Sequence, residues 1–177
     1  MRSLLKSKKG LSTVVTTLII LVVSVLLATV VTYYAINMTT TRVQEENLRI
    51  SQAHIWANSS LQQAAFVIVN IGGRDALIDK IQVRGQDMNW SDVWYIRQSS
   101  APGEPELIGD EDFATAGYAN ASDSTAHPLD LQSGDYMVVY IASPGTISVE
   151  DVGVTCSITV FSASAQYKVE VNVQSAS

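Results

Sequence analysis

Residues 11–38 read LSTVVTTLIILVVSVLLATVVTYYAINM, and this stretch decides what kind of fold the chain can adopt. Serine and threonine are its only strongly polar side chains before Asn37, and no charged residue occurs from Gly10 to Thr41. At about 1.5 Å per residue, a helix of this length spans roughly 42 Å, more than the roughly 30 Å hydrocarbon core of a bilayer. The stretch is therefore long enough to cross a membrane.

The residues before this run indicate how it would sit in a bilayer. A cleaved secretory signal would have an apolar region of only about 7 to 15 residues and small residues before its cut, and this run is too long. The chain's first ten residues include four cations, Arg2, Lys6, Lys8 and Lys9. By the positive-inside bias they keep the N-terminus in the cytoplasm and place the remainder outside. A permanent anchor fits these features.

The composition of the remainder excludes several classes of protein. The whole chain has 177 residues, 11 basic and 17 acidic, so one domain with an appendage is the natural size. Seven basic residues remain after the N-terminal four, giving the remainder a net charge of −10. Such a body repels phosphate backbones, and nucleic-acid binding is not expected.

The junction between the cations and the apolar run carries a more specific pattern, Lys8-Lys9-Gly10-Leu11-Ser12. It resembles the leader peptides of type IV pilins, and the segment GLSTVVTTLIILVV (10–23) is similar to archaeal pilin starts. The resemblance implies that a prepilin peptidase removes residues 1–10 and that Leu11 begins the mature chain. Val15 stands where bacterial pilins carry a glutamate, which disfavours a bacterial assignment.

The same resemblance implies a function. The chain would be a structural subunit of an extracellular archaeal pilus-like filament, polymerising through residues 11–60 and serving adhesion or surface attachment. Implied partners are further copies of itself, the prepilin peptidase, an assembly ATPase with its membrane platform protein, and the cytoplasmic membrane before assembly. Two alternatives stay open: an archaellin subunit of a motility filament, and a monomeric, membrane-anchored extracellular β-sandwich binding protein.

The helix is predicted to continue past the apolar run. Residues 42–61 contain no Pro or Gly, and apolar residues recur every seven positions, at Leu48 and Ile55 and at Ile50 and Ala57. A helix from Leu11 to about Asn58 would be roughly 70 Å long, too long for a compact domain of this size to enclose.

From about Leu61 the hydrophobic period changes from 3.6 to 2, which indicates strands. Residues 65–71 and 77–83 are predicted to form a hairpin or strand pair about Gly72-Gly73. Four more strands are expected at 93–96, 136–141, 152–161 and 167–173. The predicted fold class is α+β: a long N-terminal hydrophobic α-helix followed by an antiparallel immunoglobulin-like β-sandwich head over residues 61–177. FVIVNIGG (66–73) and SGDYMVVYI (133–141) loosely resemble archaeal pilin and archaellin heads.

Ser99 to Asp130 is expected to be a long surface loop with at most a short strand at 106–108. Clustered acids at 109–112, Gly-Asp-Glu-Asp, could hold calcium, but the spacing is not that of a known calcium loop, and a solvated acidic loop is favoured.

Four asparagines fit the glycosylation acceptor pattern Asn-X-Ser/Thr. They are Asn37, Asn58, Asn89 and Asn120. Asn89 and Asn120 fall in predicted loops and are the favoured sites, whereas Asn37 would be buried if the helix packs in a filament.

No catalytic constellation or cofactor motif is found in the sequence, and no enzyme activity is predicted. His54 and His127 are too far apart in sequence to form a clustered zinc motif. Ser124, His127 and Asp130 share a polar loop, and nearness in sequence does not establish triad geometry. The single cysteine, Cys156, cannot form an internal disulfide. It lies in the alternating run 154–158, Val-Thr-Cys-Ser-Ile, which favours a buried small hydrophobe over an exposed thiol for intermolecular pairing.

Overall fold

The computed structural model describes residues 3–43, 45–109, 113–123 and 129–176. The chain divides after Val43 into two compact units, an N-terminal helix and a β-rich unit. This confirms the coarse prediction of a long apolar helix followed by a β head.

The helix, α1, runs from Ser3 to Val43. Its segment Gly10–Thr41 is long and apolar enough to cross a membrane by length and composition. Seven hydroxyls along it donate to the carbonyl four residues earlier, at 2.7 to 2.9 Å: those of Thr16, Ser24, Thr29, Thr32, Thr39, Thr40 and Thr41. Because these polar groups are satisfied within the helix, it can enter an apolar environment at little cost.

The predicted continuation of the helix to about Asn58 is wrong. Strand β1 occupies Leu48–Ala57, so the second part of the predicted helix belongs to the β head. A one-residue bulge between Ser51 and His54, with Gln52 at a φ of 48°, reverses the alternation of faces halfway along the strand. Residues seven apart then share a face, which imitates a helical repeat and conceals the period of 2.

All six predicted strands are present, together with four that sequence reasoning missed. The strands after β1 are β2 Gln62–Asn70, β3 Ala76–Val83, β4 Gln86–Asp87, β5 Val93–Gln98, β6 Ala119–Asn120, β7 Leu129–Leu131, β8 Tyr136–Ala142, β9 Thr155–Ser162 and β10 Gln166–Ser175. No strand forms at 106–108. The missed elements are β1, which the bulge conceals, and β4, β6 and β7, which are too short to show a period.

The ten strands form one sheet in the order β4-β3-β9-β10-β1-β2-β8-β5-β6, with β7 paired to β3 off this path. Neighbours are antiparallel except β1 and β10, which pair in parallel over Ile55–Ala57 and Val173–Ser175. The sheet curls like a half-barrel about this short parallel junction, which joins two antiparallel sets of strands.

The predicted pairing of β2 with β3 is also wrong. β2 pairs with β1 and β8, whereas β3 pairs with β4, β7 and β9 in the other half of the sheet. Gly72 instead permits close backbone contact: the Ile71 and Gly72 amides both donate to the Asn47 carbonyl, at 2.9 and 3.1 Å. Gly73 donates to the Glu45 carbonyl at 3.3 Å, so this turn holds the segment that leads into β1.

The main hydrophobic core lies between the two halves of the sheet. β2 contributes Phe66 and Ile68 to it, and β3 and β9 contribute Ile81 and Ile158. A second, smaller cluster covers the outer face of β1, β2, β5 and β8, where Val67 and Tyr140 are buried. Both faces of β2 and β8 are therefore covered, which explains their continuous apolar sequences.

Replacing Gly72 with Ala tests the close approach of the chain at this turn. A Cβ atom there would lie 2.6 Å from both the Asn47 nitrogen and the Glu45 oxygen, which are backbone atoms. We expect Gly72→Ala to lower the free energy of unfolding by about 1–3 kcal/mol, the usual cost of overpacking. Urea unfolding followed by tryptophan fluorescence measures it. Gly145→Ala is the matched control, since nothing lies within 4 Å of its Cβ position, and an equal loss in both variants would contradict the explanation.

Candidate functional site

The predicted processing junction lies within α1. Gly10 has no atom within 4 Å of its Cβ position, and the Leu11 side chain is 70% exposed. The Ser12 carbonyl accepts a hydrogen bond from Thr16 Oγ1 at 2.9 Å. Lys8 and Lys9 are in the same helix, but their side chains lie outside the described part of the chain. The two residues on either side of the predicted cut are thus exposed, within a helical segment.

The apolar side chains of α1 form the largest exposed hydrophobic surface of the described residues. Between Leu11 and Met38 the large apolar side chains are 46% to 70% exposed, and they occur on every side of the helix. A soluble monomer rarely exposes such a surface, which marks a membrane or protein contact. The helix is therefore a candidate for contact with lipid or protein.

The loop predicted at 99–130 carries an ordered segment, residues 99–109, which we call the strap. The buried Gln63 side chain holds it through two reciprocal bonds: Nε2 donates to the Ile108 carbonyl at 3.0 Å, and the Ile108 amide donates to Oε1 at 2.9 Å. The Tyr140 hydroxyl donates to the Glu106 carbonyl at 2.8 Å. The strap is thus fixed over the second cluster.

Two aromatic side chains of the sheet, Tyr140 and His54, also contact the strap. Burial, followed by the neighbouring Tyr118 hydroxyl, raises the pKa of Tyr140 well above its usual range. His54 stacks on Trp56 with ring centroids 5.3 Å apart, and its Nε2 lies 2.9 Å from Glu104 Oε1. His54 therefore lies on β1 and contacts both Trp56 and the strap. The prediction that its segment is helical was wrong.

The four predicted glycosylation asparagines occupy different environments. Asn37 lies in α1, where its carbonyl accepts the Thr41 hydroxyl at 2.9 Å. Asn58 is half-buried after β1, and its Oδ1 accepts hydrogen bonds from the Ser60 and Leu61 amides at 2.8 and 2.6 Å. The Asn58 Nδ2 donates to the Ala176 carbonyl at 3.3 Å. Asn37 thus lies in a helix, and Asn58 lies in the short connection between β1 and β2 with its side-chain amide hydrogen-bonded.

Asn89 and Asn120, the two favoured positions, are close together in the fold. Asn89 is exposed and caps the 3-10 turn Trp90–Asp92. Asn120 is half-buried at the end of β6, and its Nδ2 donates to the Ser91 carbonyl at 2.8 Å. The 3-10 turn Ala121–Asp123 packs against the turn at Trp90–Asp92. Sequence reasoning found both sequons but could not show that they meet.

The positions weighed for metal binding or catalysis provide no assembled site. Asp110, Glu111 and Asp112, like Ser124 and His127, lie outside the described residues. Asp130 forms an ion pair with Arg97 at 2.6 Å. Within the described ranges there is no group of three or more His, Cys, Asp or Glu side chains that could hold a metal ion.

No protein-family model matches this chain, and no curated protein matches it. Among solved structures, the chain is similar to the surface layer protein SbsC, domains 1-6, with 14% identity and a TM-score of 0.32. The match covers 75% of this chain and 13% of that one, so the chain spans a small part of its length. At this TM-score the similarity supports no argument about function.

Replacing Gln63 with Leu tests the attachment of the strap. The change leaves the Ile108 amide and carbonyl without their partner, and we expect a loss of about 1–3 kcal/mol in the free energy of unfolding. The amide hydrogen of Ile108 should also exchange faster with solvent. The exposed Gln166, on β10, is the control position. An Ile108 amide that stays as protected in Gln63→Leu as in Gln166→Leu would refute the attachment.

The Cys156 thiol should be unreactive in the folded protein. It is 3% exposed, which confirms the predicted buried hydrophobe, and burial raises its pKa. Because the thiolate is the reactive form, we expect reaction with a disulfide reagent at pH 8 to be at least about tenfold slower in the native state than in urea. Equal rates in the two states would contradict this placement.

Proposed function

We propose that this chain is a structural subunit of an extracellular archaeal type IV pilus-like filament, with adhesion or surface attachment as its role. The observation that carries the proposal is the helix α1, whose apolar side chains between Leu11 and Met38 are exposed in the single chain. Removing them from water would contribute about 25 cal/mol per Å² of apolar surface. Contact with the same helix in other copies accomplishes this without lipid.

The leader supports a change of partner during the life of the subunit. Before cleavage the four N-terminal cations hold the helix in the membrane by their position on the cytoplasmic side. A prepilin peptidase cutting after Gly10 would remove all four and leave the apolar helix attached to the head. The helix could then pass from lipid into a bundle of helices driven by an assembly ATPase and its membrane platform protein.

The satisfied hydroxyls of α1 fit both environments. Each of the seven that bond to the carbonyl four residues earlier hides its polar atom in the helix's own backbone. In lipid or in a dry helix bundle an unsatisfied hydroxyl would be costly. The β-branched threonines and valines have low intrinsic helix propensity, so this helix depends on its surroundings for stability.

For the head we propose an immunoglobulin-like sandwich that has closed along one side. Two facing antiparallel sets of strands with a shared core support this interpretation. The parallel pair β1–β10, three residues long, joins the sets. In the filament this head would form the outer surface and carry the contacts with the environment.

The alternative is a membrane-anchored extracellular binding protein with an intact N-terminus. The helix α1 ends at Val43, before the predicted end at about Asn58. This favours the anchored protein, because a shorter helix needs fewer partners than the predicted helix of roughly 70 Å. An open pocket of about 640 Å³, lined by Tyr118, Tyr140 and the strap, could hold its ligand. An archaellin subunit is a variant of the main proposal and differs from it only in the task of the filament.

The N-terminal sequence and intact mass of protein sheared from native cells distinguish these functions. A filament subunit should begin at Leu11 and sediment as a polymer without detergent, because its helices are buried against one another. An anchored protein should begin at Met1 or Arg2 and appear only in detergent extracts of the membrane. The second result would overturn the filament proposal.

A further inference from the structure

Two sequons distant in sequence are joined by a hydrogen bond in the head. The Asn120 Nδ2 atom donates to the carbonyl of Ser91, the third residue of the other sequon, at 2.8 Å. The strand pair β5–β6, in which Trp94 lies opposite Asn120, fixes this arrangement. The hydrogen bonding and exposure of the Asn89 and Asn120 side-chain amides therefore depend on whether this part of the head has folded.

The amide of Asn120 is fully engaged once the head is folded. Its Nδ2 is committed to Ser91, and its Oδ1 accepts both the Ser122 amide at 2.8 Å and the Ser122 hydroxyl at 2.5 Å. Ala121, the middle residue of this sequon, is fully buried. A transferase would have to break these bonds and draw out a buried residue to reach the amide.

The amide of Asn89 is open by comparison. Its side chain is exposed, and its one hydrogen bond is made through Oδ1, which accepts the Ser91 amide at 3.3 Å. Its Nδ2 has no hydrogen-bond partner among the described residues. Asn58 resembles Asn120, since its Nδ2 donates to Ala176 and its Oδ1 accepts hydrogen bonds from two amides.

The chemistry of N-glycosylation explains why this difference matters. The asparagine Nδ2 attacks the anomeric carbon of an oligosaccharide linked to a lipid diphosphate. A nitrogen–carbon bond forms, the carbon–oxygen bond to the diphosphate breaks, and the lipid diphosphate leaves with the bonding electron pair. The amide proton passes to a base of the transferase. An Nδ2 atom that donates to a carbonyl, on a part-buried side chain, is poorly accessible to the transferase, because its hydrogen bonds must break before it can reach the anomeric carbon.

We propose that Asn89 is the residue of the folded head that accepts an N-linked oligosaccharide, and that folding closes Asn120 and Asn58 to transfer. A glycan found at either of those two positions would then have been attached before the head folded. The inference rests on the proposed location of the head outside the cell, where it would meet the transferase, but not on filament assembly.

The position of Asn89 also indicates what a glycan there would do. It follows β4, which is one end of the sheet, and Asn120 belongs to β6, which is the other end. Exposed sheet edges are sites of unwanted strand pairing between molecules, and the two-residue length of the strands at both ends already limits such pairing. An oligosaccharide on Asn89 would cover this side of the head against such pairing.

In vitro transfer to the full-length, unglycosylated protein in detergent tests the proposal. The probe is a lipid-diphosphate-linked oligosaccharide with a transferase first shown to modify three short peptides that contain the individual sequons. Mass spectrometry of glycopeptides gives the initial rate at each position in the folded chain, divided by the rate in its peptide. We expect a ratio near one at Asn89 and a ratio below about one-tenth at Asn120 and Asn58.

Asn89→Gln and Asn120→Gln serve as a matched pair of variants. Asn89→Gln should remove nearly all transfer to the folded head, whereas Asn120→Gln should leave it almost unchanged; the sequon at Asn37 lies in α1 and is followed by its own glycopeptide. A ratio near one at Asn120, or a ratio at Asn89 as low as that at Asn120, overturns the proposal. Because the readout is the mass of glycopeptides, it is unaffected if the protein proves not to form filaments.

Discussion

The short parallel pairing of β1 with β10 is the contact on which the rest of the head depends. Only three residue pairs contribute, Ile55–Ala57 with Val173–Ser175, yet they join two antiparallel sets of strands into one curled sheet. The junction connects the two sets along one side. Phe66 of β2 and Ile158 of β9 are fully buried in the core between them.

The segment leading into β1 is fixed by the turn after β2. The Asn47 and Glu45 carbonyls accept three backbone amides from residues 71–73, and Asn70 supports that turn with its buried side chain. Asn70 Nδ2 donates to the Arg74 and Leu131 carbonyls at 2.7 and 3.0 Å, and its Oδ1 accepts the Gly72 amide at 3.0 Å. A fully satisfied buried amide of this kind specifies one arrangement of the surrounding loops.

The helix and the head differ in which side chains they bury and which they expose. The head buries its apolar side chains internally, first between the halves of the sheet and then beneath the strap. The helix satisfies its polar groups internally and leaves its apolar side chains outside. Most of the large exposed apolar side chains of the described residues therefore belong to the helix, and few belong to the head.

The sequence by itself determined the apolar helix, six of the seven longer strands and the buried Cys156, because a continuous apolar run, a period of 2 and a thiol in an alternating run depend on local order alone. It did not determine the end of the helix at Val43, since the bulge at Gln52 makes a strand look helical. Nor could it show that Gln63 holds Ile108 or that Asn120 reaches Ser91. Those contacts join residues far apart in the chain, and only the tertiary structure decides them because sheet pairing sets which residues become neighbours.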